Sequence, residues 1–198
     1  MIRAEQDGSI LTLTIDRADK ANSLTEAMLT ELADHVLGLG SDVGLLILTG
    51  AGDKVFSAGA DLEAAKAGLA ISPAWERLSG AIAAAPCLSV AALNGTLAGG
   101  AFGMALACDM RLAVAHANFF YPVAKLGFLP QPSDPVRMAR LIGPARAKLI
   151  LAAGARLTAE EALAFGLIDR IDSDPLAAAR ALAVGAPDHV AAIKAMVP

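Results

Sequence analysis

Two glycine-bearing segments constrain this chain more than anything else in it. Leu48 to Leu62 reads Leu-Thr-Gly-Ala-Gly-Asp-Lys-Val-Phe-Ser-Ala-Gly-Ala-Asp-Leu, and Asn94 to Ala101 reads Asn-Gly-Thr-Leu-Ala-Gly-Gly-Ala. In each, a stretch of strand character enters a glycine loop and leaves it as a helix. The first N–H groups of a helix have no partner within it, so each loop presents free donors that can hold a negative oxygen. Glycine at 59, 99 and 100 permits the tight backbone and leaves no Cβ in the path of a ligand. Two other glycine-loop chemistries do not fit. Gly50-Ala-Gly-Asp-Lys-Val55 puts valine where a dinucleotide-binding loop needs its third glycine, and Lys54 lacks the preceding glycine of a phosphate-cradling loop.

Strands and helices alternate around these loops. Ile10 to Ile15 alternates apolar and polar residues, as a half-buried strand does, and Gly8 marks a hairpin turn from a partner strand over Ile2 to Gln6. Ser23 or Thr25 caps a helix whose apolar residues Leu24, Met28, Leu29, Leu32 and Val36 recur at steps of three and four. Val43 to Thr49 is a continuous apolar run, as in a strand covered on both faces. Helices are expected over 62–67, 75–85 and 100–108, and strands over 87–93 and 110–116. Further helices over 135–141, 143–153 and 159–165 and a short strand over 167–171 complete the pattern. The order predicts an α/β layer of repeated crossover units, with residues 1–198 forming one domain.

Composition narrows the function classes. Apolar residues make up 56% of the chain and mean hydropathy is +0.55, yet no apolar run approaches the roughly 20 residues of a membrane span. A net charge of −4 without a Lys/Arg cluster argues against nucleic acid, which needs concentrated positive charge. The polar segment Met1 to Gly8 lacks the pattern of a secretory leader, so the cytoplasm is the expected compartment. Cys87 and Cys108 lie in apolar surroundings and read as buried thiols, and His35, His116 and His189 stand apart with no metal-ligand spacing, so no metal is expected.

The two glycine segments resemble those of the crotonase superfamily, the enoyl-CoA hydratase/isomerase proteins. The likeness extends over nearly the whole chain, through Ile15 to Leu24, Cys108 to Leu112, Leu126 to Pro130, Arg140 to Gly143 and Leu157 to Ile168. It implies a spiral of ββα units with a helical C-terminal part, an acyl-CoA thioester as substrate with no further cofactor, and a homotrimer or hexamer. Members of that family usually continue some tens of residues past the point matched by Pro198, so the single domain is expected to be without their final C-terminal helices. Carried over residue by residue, the N–H groups of Ala60 and Gly100 form an oxyanion hole for the thioester carbonyl. Lys20, Ala21, Ser23 and Ala58 border the CoA moiety. Gly59, Asp61, Leu62, Leu97, Gly99, Tyr121 and Val123 complete the substrate groove. Glu63 stands where hydratases often have a lysine for phosphate.

The acid and base depart from the pattern. Enoyl hydration needs one carboxylate to activate water and one carboxylic acid to deliver a proton. The resemblance places glutamates at positions where this chain has Gly103 and Val123, and neither can move a proton. The position of the aspartate that other branches use falls on Gln131, which can bind substrate or orient water. Asp134, three residues on, is the nearest carboxylate; before Pro135 it also suits a helix N-cap. Tyr121 is either a core aromatic with one polar tip or a donor near the thioester. The leading expectation is a lyase or isomerase acting on acyl-CoA. Thioester hydrolysis and a non-catalytic acyl-CoA binder are the rivals.

Overall fold

The computed structural model describes residues 1–197, with the side chain of Leu62 outside the description. The chain opens with the hairpin β1 (Ile2–Asp7) and β2 (Ile10–Ile15), then α1 (Glu26–Leu37), β3 (Leu45–Gly50), β4 (Val55–Ser57), α2 (Leu62–Lys66) and α3 (Ala74–Ala83). The middle holds β5 (Leu88–Leu93), β6 (Thr96–Ala98), α4 (Phe102–Ala107), β7 (Met110–Ala113), β8 (Asn118–Phe120) and α5 (Val123–Leu126). Last come α6 (Asp134–Ile142), α7 (Pro144–Leu151), β9 (Arg156–Thr158), α8 (Ala159–Phe165), β10 (Arg170–Ile171), α9 (Pro175–Arg180) and α10 (Pro187–Met196).

Two sheets result. The larger has the order β1-β2-β3-β5-β7-β10, with β1 antiparallel to β2 and every other pair parallel. The smaller has the order β4-β6-β8-β9, parallel except for β8 with β9. Three times over, a strand of the large sheet runs into a strand of the small one and then into a helix. All six residues of β3 are buried, which is why its sequence is continuously apolar. One face of the sheet packs Leu13, Leu46 and Leu48 against Leu29 and Leu32 of α1, Leu78 and Ile82 of α3, and Phe102 of α4. The other face carries Leu45, Ile47, Val90 and Leu112, covered by Ala179 of α9. Among the described residues no helix is long and apolar enough to cross a membrane.

Several expected boundaries shift. Thr25, not Ser23, caps α1 by accepting from the Met28 N–H. The strand expected over 110–116 stops at Ala113, and a second strand follows at Asn118–Phe120. The helix expected from Gly100 begins as a 3₁₀ turn over Gly99–Ala101, and the α-helix proper starts at Phe102. Of the strand expected over 167–171 only Arg170 and Ile171 pair. The small sheet carries no periodic signature because its strands are three residues long, too short for alternation to register.

The small sheet decides where the glycine loops go. Because β4 and β6 run parallel with Ser57 opposite Leu97, the residues that follow each strand emerge side by side. Gly95 makes this turn possible: a Cβ there would lie 2.2 Å from the carbonyl carbon and oxygen of Lys54. Gly95→Ala is therefore expected to cost about 3 kcal/mol of stability, near the upper end for overpacking. Urea unfolding measures it, and a loss under about 1 kcal/mol would show that the turn yields freely.

Candidate active site

The loops after β4 and β6 interlock. Gly59 has φ +87° and Gly99 has φ +60°, conformations that cost a residue with a Cβ about 1–2 kcal/mol. A Cβ at Gly59 would stand 3.0 Å from both the Ala98 carbonyl oxygen and the Gly100 nitrogen, and one at Gly99 3.3 Å from the Ala58 carbonyl oxygen. The glycines thus let two backbones touch. On the outer side of the first loop, the Leu24 N–H donates to the Gly59 carbonyl and the Asp61 N–H to the Leu24 carbonyl, each at 2.8 Å. Along an extended segment successive peptide groups point in opposite directions, so the Ala60 N–H is turned away from Leu24. Among the described residues neither Ala60 N–H nor Gly100 N–H donates to a protein acceptor.

Polar side chains hold this backbone from behind. Asn22 donates to the carbonyls of Ala51 and Val55 and accepts from the Arg17 N–H, while Asn94 accepts from the Gly50 N–H and donates to the Gly52 carbonyl. Ser57 Oγ donates to the Asn22 carbonyl and accepts from the Gly59 N–H. Asp61 caps α2 by accepting from the Glu63 and Ala64 N–H groups and pairs with Arg17 at 2.9 Å. The Ala64 N–H, ahead of Arg17, holds its carboxyl below the ordinary carboxylate range. Arg17 also reaches the Ser23 carbonyl and Oγ, fastening the 18–23 loop to the Ala60 loop. Sequence reasoning missed Arg17, whose partners are distant in the chain. In that loop Lys20 is exposed, Ala21 has φ 51° and its carbonyl accepts from the Ala58 N–H, and Ser23 is buried.

A cavity of about 290 Å³ opens beside the interlocked loops. Ala58, Ala60, Gly99, Gly100, Tyr121, Val123 and Gln131 all line it. Lys20, Ala21, Ser23, Asp61 and Leu97 are not among its lining residues; Leu97 is buried in the core. Trp75, the chain's one tryptophan, was not anticipated here. Its ring would lie 3.2 Å from a Cβ at Gly100, and its Nε1–H donates to the Leu69 carbonyl at 2.8 Å, so it floors the second loop. The remaining wall is apolar, including Leu126, Phe128 and Leu129.

Asp134 is not the helix cap that its place before Pro135 suggests. Ser133 occupies the N-cap position, and Asp134 is the first residue of α6 with its side chain fully buried. The helix makes no use of the carboxylate because tertiary packing turns it inward. Oδ2 accepts from the Tyr121 hydroxyl at 2.9 Å, while Oδ1 has no protein partner. Burial, before any other cause, raises the Asp134 carboxyl to about 7; the Tyr121 hydrogen bond and Arg137 oppose the rise and Glu76 adds to it. Burial and then the Asp134 charge push the Tyr121 hydroxyl above the usual phenol range. Tyr121 is also stacked on Phe102, with ring centroids 5.4 Å apart.

Gly103 faces this carboxylate: a Cβ at Gly103 would lie 3.0 Å from Asp134 Oδ1. The position at which the resemblance implies a glutamate is thus the wall against which a carboxylate from α6 is pressed. No spacing rule in the sequence links 103 to 134. Gln131 Nε2 donates to the Ala70 carbonyl at 2.9 Å, which leaves its Oε1 as the end able to accept from a ligand. His116 and His189 are exposed and His35 half-buried, all remote from the cavity lining.

Fold and site together define an α/β protein with paired backbone donors at the mouth of an apolar cavity. Residues 5–197 match the enoyl-CoA hydratase/isomerase family model, and the chain belongs to that family. Carnitinyl-CoA dehydratase of Salmonella arizonae is 38% identical over 98% of this chain and 78% of the relative. The same-named protein of Escherichia coli K12 is 37% identical over 85% and 66%. An enoyl-CoA hydratase structure from Bacillus anthracis superposes with a TM-score of 0.88 at 30% identity, over 99% of this chain and 81% of that one. The match confirms the expected crotonase spiral and an enzyme of hydratase/isomerase type.

Proposed function

We propose that this enzyme takes up an acyl-CoA with its thioester carbonyl oxygen between the Ala60 and Gly100 N–H groups and stabilises the enolate or oxyanion that forms there. The observation that carries this reading is the interlock itself: two free donors, on loops in van der Waals contact, beside a cavity lined by both. Donors fixed before charge develops are worth about 3 kcal/mol each, because nothing has to reorient during the reaction. Val123 and Leu126 give the acyl chain an apolar wall, and Gln131 Oε1 can accept a hydrogen bond from substrate or water. Lys20 and Ala58 are exposed, Ala21 is half-buried and Ser23 is buried; the CoA arm would run along this edge, over Lys20, Ala21, Ser23 and the Ala58 carbonyl, with Gly59, Asp61 and Leu97 holding the loops.

Trp75 supplies the test, since the only indole in the chain lines the cavity. Crotonyl-CoA is expected to shift or quench its emission at micromolar concentration, whereas acetate and crotonate leave it unchanged. A panel of saturated and unsaturated acyl-CoAs followed by mass spectrometry then separates water addition, double-bond shift and release of free CoA. A Trp75 signal indifferent to every acyl-CoA would sink the proposal, and binding without mass change on any substrate would favour a non-catalytic binder.

A further inference from the structure

Hydration or isomerisation at an acyl chain needs a group that moves a proton, and the cavity wall is poor in such groups. Among its described lining residues only Lys66 and Tyr121 carry a titratable proton. The Lys66 side chain is 74% exposed and pairs with Glu63 at 3.0 Å, so it belongs to the surface. Tyr121 is the one residue that both lines the cavity and touches a buried carboxylate, through the 2.9 Å bond from its hydroxyl to Asp134 Oδ2. Asp134 itself reaches neither solvent nor cavity lining. Its carboxylate fits because position 103 has no side chain, with Oδ1 only 3.0 Å from where a Cβ would be.

Resting on the acyl-CoA reading above, we propose that Tyr121 and Asp134 form a two-residue proton relay, in which the tyrosine hydroxyl exchanges a proton with the acyl chain and Asp134 acts through it. In the protonating direction the Tyr121 O–H bond breaks as a C–H bond forms at the substrate enolate carbon. In the same step the Asp134 carboxyl gives its proton to the phenolic oxygen, leaving the tyrosine neutral and the aspartate ionised. The reverse removes a Cα proton and leaves Asp134 protonated, while the negative charge moves to the thioester oxygen. Tyrosine alone cannot act as the base, because burial and the neighbouring carboxylate hold its proton firmly. A carboxyl that titrates to about 7, with Glu76 of α3 and Arg137 of α6 as the other charged groups acting on it, is matched to proton transfer near neutral pH. Asp134 is accordingly a positioning and proton-storing residue; Tyr121 is the one that meets substrate.

The test is exchange of the Cα hydrogens of butyryl-CoA with D₂O, followed by mass spectrometry, with binding read from Trp75 emission. The wild type is expected to exchange, with a rate that rises through an apparent pKa near 7. Tyr121→Phe and Asp134→Asn should each lose about 10²-fold or more in exchange rate while binding within about threefold of wild type, and Asp134→Asn should lose the pH step. Asp134→Glu, keeping a carboxyl but crowding Gly103, should recover part of the rate. Exchange by Asp134→Asn at the wild-type rate with the step intact would overturn the relay, as would a wild type that binds butyryl-CoA without exchanging it. Failure of the wild type to bind any acyl-CoA would sink the relay together with the reading beneath it. Thermal melts of each variant keep loss of fold apart from loss of the relay.

Discussion

Gly59→Ala is expected to lower kcat/KM on any accepted acyl-CoA by about 10²–10³, a larger loss than most wall substitutions would bring. The added methyl would sit 3.0 Å from the Ala98 oxygen and the Gly100 nitrogen and 3.2 Å from Gly99 Cα. All three are backbone atoms, so no flexible side chain can give way. The loops must move apart, and a donor displaced by about 1 Å forfeits most of the roughly 3 kcal/mol that such a donor provides. The φ of +87° adds a backbone cost of about 1–2 kcal/mol. Gly143→Ala separates these two effects. Gly143 has φ +80° with nothing within 4 Å of an added Cβ, so alanine there should cost similar stability and leave turnover near the wild-type level. Turnover by Gly59→Ala within threefold of wild type would mean that the interlocked loops do not set the reaction.

The second large effect concerns stability and pH. Asp134 titrates at about 7 in the folded chain against an ordinary 3.8, first because burial penalises its charge. In the unfolded chain it ionises above about pH 4, and in the folded chain it holds its proton until about pH 7. Folding therefore takes up a proton between these values. The stability associated with the neutral carboxyl is full below about pH 4 and is lost as pH rises through about 7, a total on the order of 4 kcal/mol. Asparagine has nearly the same shape and no charge to bury. Asp134→Asn should gain on wild type by about 3 kcal/mol between roughly pH 5 and pH 8 in urea unfolding. A difference that stays level across that range would show that Asp134 is ionised in the fold at every pH tested. A variant more stable at pH 8 yet poorer in proton exchange would mark the carboxylate as held for chemistry at a cost to stability.

The glycine segments were legible because their requirement is local. A positive φ or a close backbone approach leaves glycine at 59, 99 and 100 whatever surrounds it, and a fully buried strand such as β3 must be apolar throughout. The helix faces of α1 were legible for the same reason: Met28, Leu29, Leu32 and Val36 bury one stripe. The three-residue strands of the small sheet were not, since two alternations make no period. Trp75, Arg17 and the true place of Asp134 were hidden as well. Before Pro135 the aspartate satisfies every local rule for a cap, and only its contact with Tyr121, thirteen residues back, and Gly103, thirty-one residues back, shows otherwise.

The sequence by itself determined the α/β alternation and the two glycine loops, because each depends on residue types read over a few neighbouring positions, and its likeness to one family along nearly the whole chain implied the spiral. The tertiary structure decided that those loops touch, that Trp75 floors their cavity and that a carboxylate from α6 fills the space left at Gly103. Such contacts depend on how the parallel pairing of β4 with β6 and the packing of α6 on α4 bring distant segments together, and no local pattern records that.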